Sequence, residues 1–161
     1  MGQPQVDELF RRYYPVIRQK CARMLSDPAE AEDVAQETFI RLWRELAEDG
    51  AIATQVGWIY SISTRLAIDR LRQRKRRPRA ELDETTRSKD DVEGGAAGRE
   101  WLERIAQVLS AEELEVLMLH RIDRMNQEEI GIVLGCSDRQ VRRMLTRCDE
   151  RLQRLKERLD P

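Results

Sequence analysis

The chain has 161 residues, of which 37% are charged and 5% aromatic, and its net charge is −1. That length allows one ordinary domain or two small ones, and so few aromatics restrict any core to a modest aliphatic one, as in small helical bundles. No apolar run approaches membrane-spanning length, the first residues lack the basic and apolar sections of a secretion signal, and three widely spaced cysteines make no disulfide framework, so a cytoplasmic protein without membrane insertion is expected.

Leu9, Phe10, Tyr13, Tyr14, Val16 and Ile17 supply the apolar contacts of a first helix expected over Val6 to Leu25. Pro15 lacks a backbone donor and kinks or divides it. Asp27-Pro28-Ala29-Glu30 then reads as a helix start, with an Asp cap, proline at the first helical position and a glutamate able to reach back. The second helix continues to about Leu46, with Ala31, Ala35, Phe39, Leu42 and Leu46 on one face and Glu32, Asp33, Gln36, Glu37 and Arg41 on others. Five acids and no base lie between Asp27 and Glu37, more than the helix dipole needs.

A third helix begins at Trp58, in WIYSISTRLAIDRLRQRKRR, where Ile59, Ile62, Leu66, Asp69 and Leu71 follow helical spacing. Between Arg65 and Arg79 there are eight bases and one acid, and Arg72, Arg74, Lys75, Arg76, Arg77 and Arg79 exceed what a helix C-terminus calls for. With Trp58 and Tyr60 upstream they have the makings of a phosphate track beside stacking aromatics, although core packing explains either aromatic equally well. Pro78 stops this helix. From Ala80 to Gly98 hydrophobic periodicity is lost and six acids, two bases and three glycines appear, so the stretch reads as a flexible acidic linker. The expected organisation is all-α: a helical domain at 1–78, a linker at 79–98 and a second helical domain at 99–161.

The second domain opens over Arg99 to Leu109 with Trp101, Leu102, Ile105 and Val108 as its apolar stripe, and Ser110 with Glu113 forms a capping box for a helix running to about Ile122. Asn126 to Arg147, NQEEIGIVLGCSDRQVRRMLTR, has the pattern of a helix-turn-helix. Asn126 and Glu129 form a capping box, Ile130, Val133 and Leu134 recur at helical spacing, and Gly135 suits the left-handed conformation that ends a helix. Ser137 with Gln140 starts the next helix, whose stripe is Val141, Met144 and Leu145 and which extends through Leu152, Leu155 and Leu159. Asp138, Arg139, Arg142, Arg143 and Thr146 are left facing outward, where arginines grip phosphates or pair with guanine. An ordinary helical hairpin with a solvated charged face is the competing reading. Cys21, Cys136 and Cys148 lack the close spacing of a zinc site and read as small hydrophobes, so no metal is expected.

DPAEAEDVAQETFIRLWREL, WIYSISTRLAIDRLRQRKRR and LSAEELEVLMLHRIDRMNQEEIGIVLGCSDRQVRRMLTRCDERLQRL, in this order, resemble the core-polymerase-binding helix, the promoter-melting helix and region four of the extracytoplasmic-function group of bacterial sigma factors. The resemblance implies a sigma region 2 bundle and a region 4 helix-turn-helix joined by a linker, with no catalytic residue and no cofactor. Asp33, Gln36, Glu37 and Arg41 would then form the surface that meets core RNA polymerase, Asp33, Gln36 and Glu37 docking the coiled coil of its beta-prime subunit, with the beta subunit a further partner; Phe39, Leu42 and Trp43 would pack beneath. Trp58, Tyr60, Arg65, Asp69, Arg72, Arg74, Lys75 and Arg76 would contact the minus-10 element of promoter DNA, where a base is captured from the opened strand. Ser137, Arg139, Gln140, Arg142, Arg143 and Arg147 would read the minus-35 duplex. The family is commonly held inactive by an anti-sigma factor, which becomes an expected partner. This chain has Arg65 where many members have Asn, and Gln127 and Gly131 where an aromatic residue and an alanine are frequent.

The function expected is that of an alternative sigma factor directing promoter-specific initiation. A stand-alone helix-turn-helix regulator is the main alternative, but it leaves the acidic helix without a role. A metal-dependent nucleic-acid hydrolase using Asp33 and Glu37 lacks a second carboxylate cluster or a histidine pair.

Overall fold

Helix α1 (Gln3–Leu25) runs unbroken through Pro15, which sits on its exposed side. This is one of seven helices in the computed structural model, which describes residues 3–49, 55–74 and 95–159 and, among them, contains no strand. Ile17, Cys21, Met24 and Leu25 of α1 are buried; Leu9, Tyr13 and Tyr14 are half-buried against the core, whereas Phe10 and Val16 face solvent. Ser26, with φ of 57°, donates its N–H to the Ala22 carbonyl at 2.9 Å and turns the chain within two residues into α2 (Pro28–Asp49). The Asp27 cap forms as expected: its Oδ1 accepts from the backbone of Ala29 at 3.0 Å and of Glu30 at 3.3 Å.

Ala31, Ala35, Phe39, Leu42 and Leu46 bury one face of α2, joined by Val34. Helix α3 (Gln55–Arg74) completes the first bundle with Ile59, Ala67, Ile68 and Leu71, while Asp69 is exposed. Helix α4 (Gly95–Val108) begins inside the stretch expected to be linker, because Ala96 and Ala97 are strong helix formers that extend the pattern backward. In α4 Ile105 and Ala106 turn inward and the next buried residue is Leu109; Val108, expected in the stripe, is exposed. The remainder of the expected acidic linker, with Pro78, lies outside the described residues.

Helix α5 (Ala111–Arg121) carries Leu114, Leu117 and Met118 into the same buried cluster that holds the α1, α2 and α3 residues, and Ile105, Leu109 and Cys148 belong to it too. The two helical groups thus share one core. A smaller cluster of Val116, Leu119, Met125, Ile130, Val141 and Leu145 holds together α5, α6 (Gln127–Leu134) and α7 (Asp138–Leu159). No described helix is long and apolar enough to cross a membrane.

The turn chemistry of the α6–α7 unit follows the sequence closely. Asn126 and Glu129 satisfy each other's backbone N–H, Gly135 takes φ of 71°, and Ser137 and Gln140 exchange side-chain bonds to backbone at 3.2 and 3.0 Å. Gly131, which in an unsupported helix interior would cost about 1 kcal/mol against alanine, has a reason to be glycine here. Its carbonyl accepts the N–H of Cys136 at 2.9 Å, and a Cβ at this position would stand 2.7 Å from the Cys136 carbonyl oxygen. Only half of the Ser110 capping box forms: the hydroxyl accepts from Glu113 N at 3.2 Å, but the Glu113 carboxylate turns inward to Arg151 at 3.0 Å.

Candidate functional site

Three polar surfaces come out of this fold. On α2, Asp33, Gln36 and Arg41 are exposed and Glu37 is half-buried, all on the side opposite the buried stripe because they fall at i, i+3, i+4 and i+8. Glu37 and Arg41 pair at 3.2 Å, an exposed contact worth only a few tenths of a kcal/mol. The acidic face is thus displayed by the helix itself, and Glu30 near its start lies 4.0 Å from Arg70 of α3. Phe39 and Leu42 are buried beneath it as expected, but Trp43 is not: it is 52% exposed, and Ile40 is exposed as well. The core is filled by Leu42 and Leu46 at their helical spacing, which leaves Trp43 on the solvent side next to the acids and gives this surface an apolar component that sequence periodicity alone did not assign.

The second surface lies on α3. Trp58 and Tyr60 are half-buried and pack against the core, with Tyr60 edge-on to Tyr13 at 6.4 Å between centroids and the Lys20 ammonium 5.3 Å above its ring. Burial, and then the Asp123 charge, raises the Tyr60 hydroxyl above its ordinary value. Arg65 and Arg72 are exposed on one side but engaged on the other: Arg65 Nε donates to Glu115 at 2.9 Å and Arg72 to the Leu109 carbonyl at 3.1 Å. Arg74 closes the helix, its side chain outside the described part, and Lys75 and Arg76 lie outside the described residues altogether.

The third surface is the outer face of α7. Ser137, Arg139, Gln140, Arg142, Arg143 and Arg147 are all exposed, set there by the burial of Val141, Leu145 and Cys148 on the opposite face. Ser137 and Gln140 are occupied as the cap, and Arg142 Nε donates to Gln127 of α6 at 3.2 Å, which steadies one guanidinium at the front of the helix. Arg143 and Arg147 line a groove of about 380 Å³ together with Arg65, Glu115, Gln140 and Cys136. Cationic side chains of the second and third surfaces thus meet in one place.

Among the contacts that join the two helical groups, the pair of Lys20 and Asp123 was not singled out from sequence. Lys20 is 3% exposed and its ammonium spends all three donors: on Asp123 Oδ2 at 2.7 Å, the Tyr60 carbonyl at 2.9 Å and Ser63 Oγ at 3.0 Å. Burial pulls its pKa below the ordinary lysine value, with Asp123 opposing, and burial likewise pushes the Asp123 carboxyl up against the pull of Lys20. One signal was available: Lys20 falls three residues after Ile17 and four before Met24, a charge on the apolar face. Nothing in sequence pairs it with a residue 103 positions away.

Comparisons with known proteins match both helical parts of the chain. Family models describe two parts of the chain, Sigma-70 region 2 over residues 9–77 and Sigma-70, region 4 over residues 99–148. The chain belongs to the sigma-70 family, in its extracytoplasmic-function group. The chain is 32% identical over 131 residues to the probable RNA polymerase sigma factor RfaY of Xanthomonas campestris pv. campestris, covering 75% of this chain and 32% of that protein. It is 29% identical over 161 residues to the ECF RNA polymerase sigma factor SigE of Mycolicibacterium smegmatis, covering 93% of this chain and 61% of that one. The chain therefore spans about a third of the length of the first relative and less than two-thirds of the second. The sigma factor RpoE of Bartonella quintana, solved in complex with the anti-sigma factor NepR, shares the fold at a TM-score of 0.55 and 19% identity, over 96% of this chain and 98% of that one.

Proposed function

We propose that this sigma factor is a dissociable promoter-specificity subunit of bacterial RNA polymerase, acting in the cytoplasm and performing no chemistry itself. Residues 1–78 would act as region 2, which binds core polymerase and the melted minus-10 strand, 79–98 as the linker, and 99–161 as region 4, which reads the minus-35 duplex. The observation that carries this is the match of both sigma-70 regions, in order, to the parts of the chain that hold the acidic helix and the helix-turn-helix.

In this reading Asp33, Gln36, Glu37 and Arg41 meet the beta-prime coiled coil, where acids facing a basic partner favour specificity and rate of association. The exposed Ile40 and Trp43 beside them supply apolar area that charge alone lacks. Trp58, Tyr60, Arg65, Asp69, Arg72, Arg74, Lys75 and Arg76 hold the opened minus-10 strand; binding only the open form pulls the melting equilibrium toward it. Ser137, Arg139, Gln140, Arg142, Arg143 and Arg147 enter the major groove at minus-35, with Gln127 steadying Arg142. A contact to the beta subunit, and an anti-sigma factor like the partner named for the Bartonella quintana protein, complete the set.

The test is transcription from a promoter library with purified core polymerase, with and without the protein, reading the start sites. Protein-dependent starts that share two spaced upstream elements are expected. Tight binding to duplex DNA without core binding or transcripts would replace this reading with that of a stand-alone regulator.

A further inference from the structure

Two polar side chains of the helix-turn-helix are tied to each other across its turn. Gln127 is the first residue of α6, fixed there by the Asn126 cap, and its amide oxygen accepts the Nε–H of Arg142 on α7 at 3.2 Å. A guanidinium only donates, so the amide must present its oxygen to Arg142, which leaves the Gln127 NH2 group outside this contact. The frame beneath the pair is stiff. Gly135 takes the left-handed turn, the Cys136 N–H closes on the Gly131 carbonyl at 2.9 Å, and Ile130 of α6 shares a buried cluster with Val141 and Leu145 of α7. Gln127 stands where an aromatic residue is frequent in region four, so this tie belongs to the chain's own sequence.

What the contact does to Arg142 follows from the donors it leaves. A guanidinium makes a bidentate contact either through Nε and one terminal nitrogen or through both terminal nitrogens. With Nε given to Gln127, only the second way remains, and the two Nη groups form a fork at the end of the side chain. That fork matches the O6 and N7 acceptors that guanine shows in the major groove. The place is suitable as well: Arg142 is exposed and lies one turn past Asp138, the first residue of α7, and it is the N-terminal part of the second helix of such a unit that meets base edges. Arg139, Arg143 and Arg147 are exposed too, but among the described residues they have no hydrogen-bond or ion-pair partner. Untied arginines suit phosphates, which ask for charge and not for one orientation.

We propose that Gln127 is a positioning residue for base readout: it holds Arg142 end-on to one guanine of the minus-35 duplex and thereby sets specificity at that base pair, while the untied arginines of α7 supply affinity. This deepens the promoter-binding reading of α7 and rests on it. The gain comes from order that exists before DNA arrives. A long side chain that must be immobilised on binding loses rotamer freedom, and Gln127 removes part of that loss for Arg142 in one orientation only. An orientation fixed in advance favours the base whose acceptors meet the fork and gives nothing to the others, so the contribution is to discrimination and not to general DNA affinity.

The test is transcription by core polymerase loaded with the full chain, on a promoter library randomised across the upstream duplex element, which returns a base preference at every position. The wild type should show a preference for guanine at one base pair, by about tenfold or more, that Arg142→Ala erases while leaving the other positions as they were. Gln127→Met keeps length and helix propensity but has no amide oxygen, and should lower that same preference several-fold and no other. Gln127→Glu keeps an acceptor for Nε and should retain the preference, whatever its added charge does to overall yield. An unchanged preference in Gln127→Met, a loss spread equally over all positions, or an Arg142→Ala variant that weakens every sequence alike overturns the inference. Thermal unfolding followed by circular dichroism checks the fold, and Gln127→Ala is read by the same criteria if the methionine variant is destabilised. Wild-type starts without a shared upstream element, or no starts, remove the promoter reading and this inference with it, an outcome that the wild type alone reveals.

Discussion

Replacing Asp123 by asparagine keeps an acceptor beside Lys20 and removes only the charge. The Lys20 ammonium would then be surrounded by neutral oxygens, those of Tyr60, Ser63 and the new amide, in a site where its side chain is 3% exposed. Removing one partner of a buried pair typically costs about 3–5 kcal/mol. An upper bound follows from the alternative of deprotonating the lysine: from its ordinary 10.5 to pH 7, at 1.36 kcal/mol per unit, about 5 kcal/mol. A loss of about 3 kcal/mol is expected in urea unfolding followed by circular dichroism. The pH dependence has a definite sign. Burial lowers Lys20, so the folded chain binds fewer protons than the unfolded one in the window below 10.5, and stability rises with pH through that window. Asp123 normally opposes that lowering, so its neutralisation extends the window downward and the deficit of the variant should shrink as pH is raised from 7 toward 10. Lys20→Met with Asp123→Leu, which removes both charges, should lie within about 1 kcal/mol of the wild type or above it. A deficit for Asp123→Asn below about 1 kcal/mol in a variant that still scatters as a compact particle, or one that is flat with pH, would refute the claim that Lys20 is held charged in a water-poor site.

Glu37→Lys should abolish or sharply weaken core polymerase binding, measured by native gel shift, while leaving thermal unfolding nearly unchanged, because the pair of Glu37 with Arg41 is solvent-exposed and contributes little; retained affinity would remove it from the docking surface. Arg142→Ala should weaken the minus-35 footprint, and a loss equal for all sequences would mark a phosphate contact where base readout predicts a sequence-dependent one. Titration with a disulfide reagent on the native protein should find one reactive thiol, Cys136, and three in denaturant. Burial pushes the Cys21 thiol up to about 12 and Cys148 up to about 11, both with no exposed surface. More than one native equivalent would mean that the shared core opens readily.

By itself the sequence determined the helices, the all-α class and most of the local chemistry. The Asp27 cap, the Asn126–Glu129 and Ser137–Gln140 exchanges, the left-handed Gly135 and the outward arginines of α7 are set by neighbours within four residues, and short-range periodicity reports such contacts well. It also placed Glu32, Asp33 and Glu37 away from the apolar face of α2, and its motif order marked the family. Only the tertiary structure decided what depends on distant partners. Gly131 became a close-approach position because the Cys136 carbonyl folds back onto it, Trp43 went to solvent because Leu42 and Leu46 already fill the core, and Glu113 left its capping box for Arg151. The pairing of Lys20 with Asp123, and of Arg65 with Glu115, joins residues 103 and 50 positions apart. A charge on an apolar face announces that a partner is needed, but which partner it finds is settled only when the two helical groups pack together.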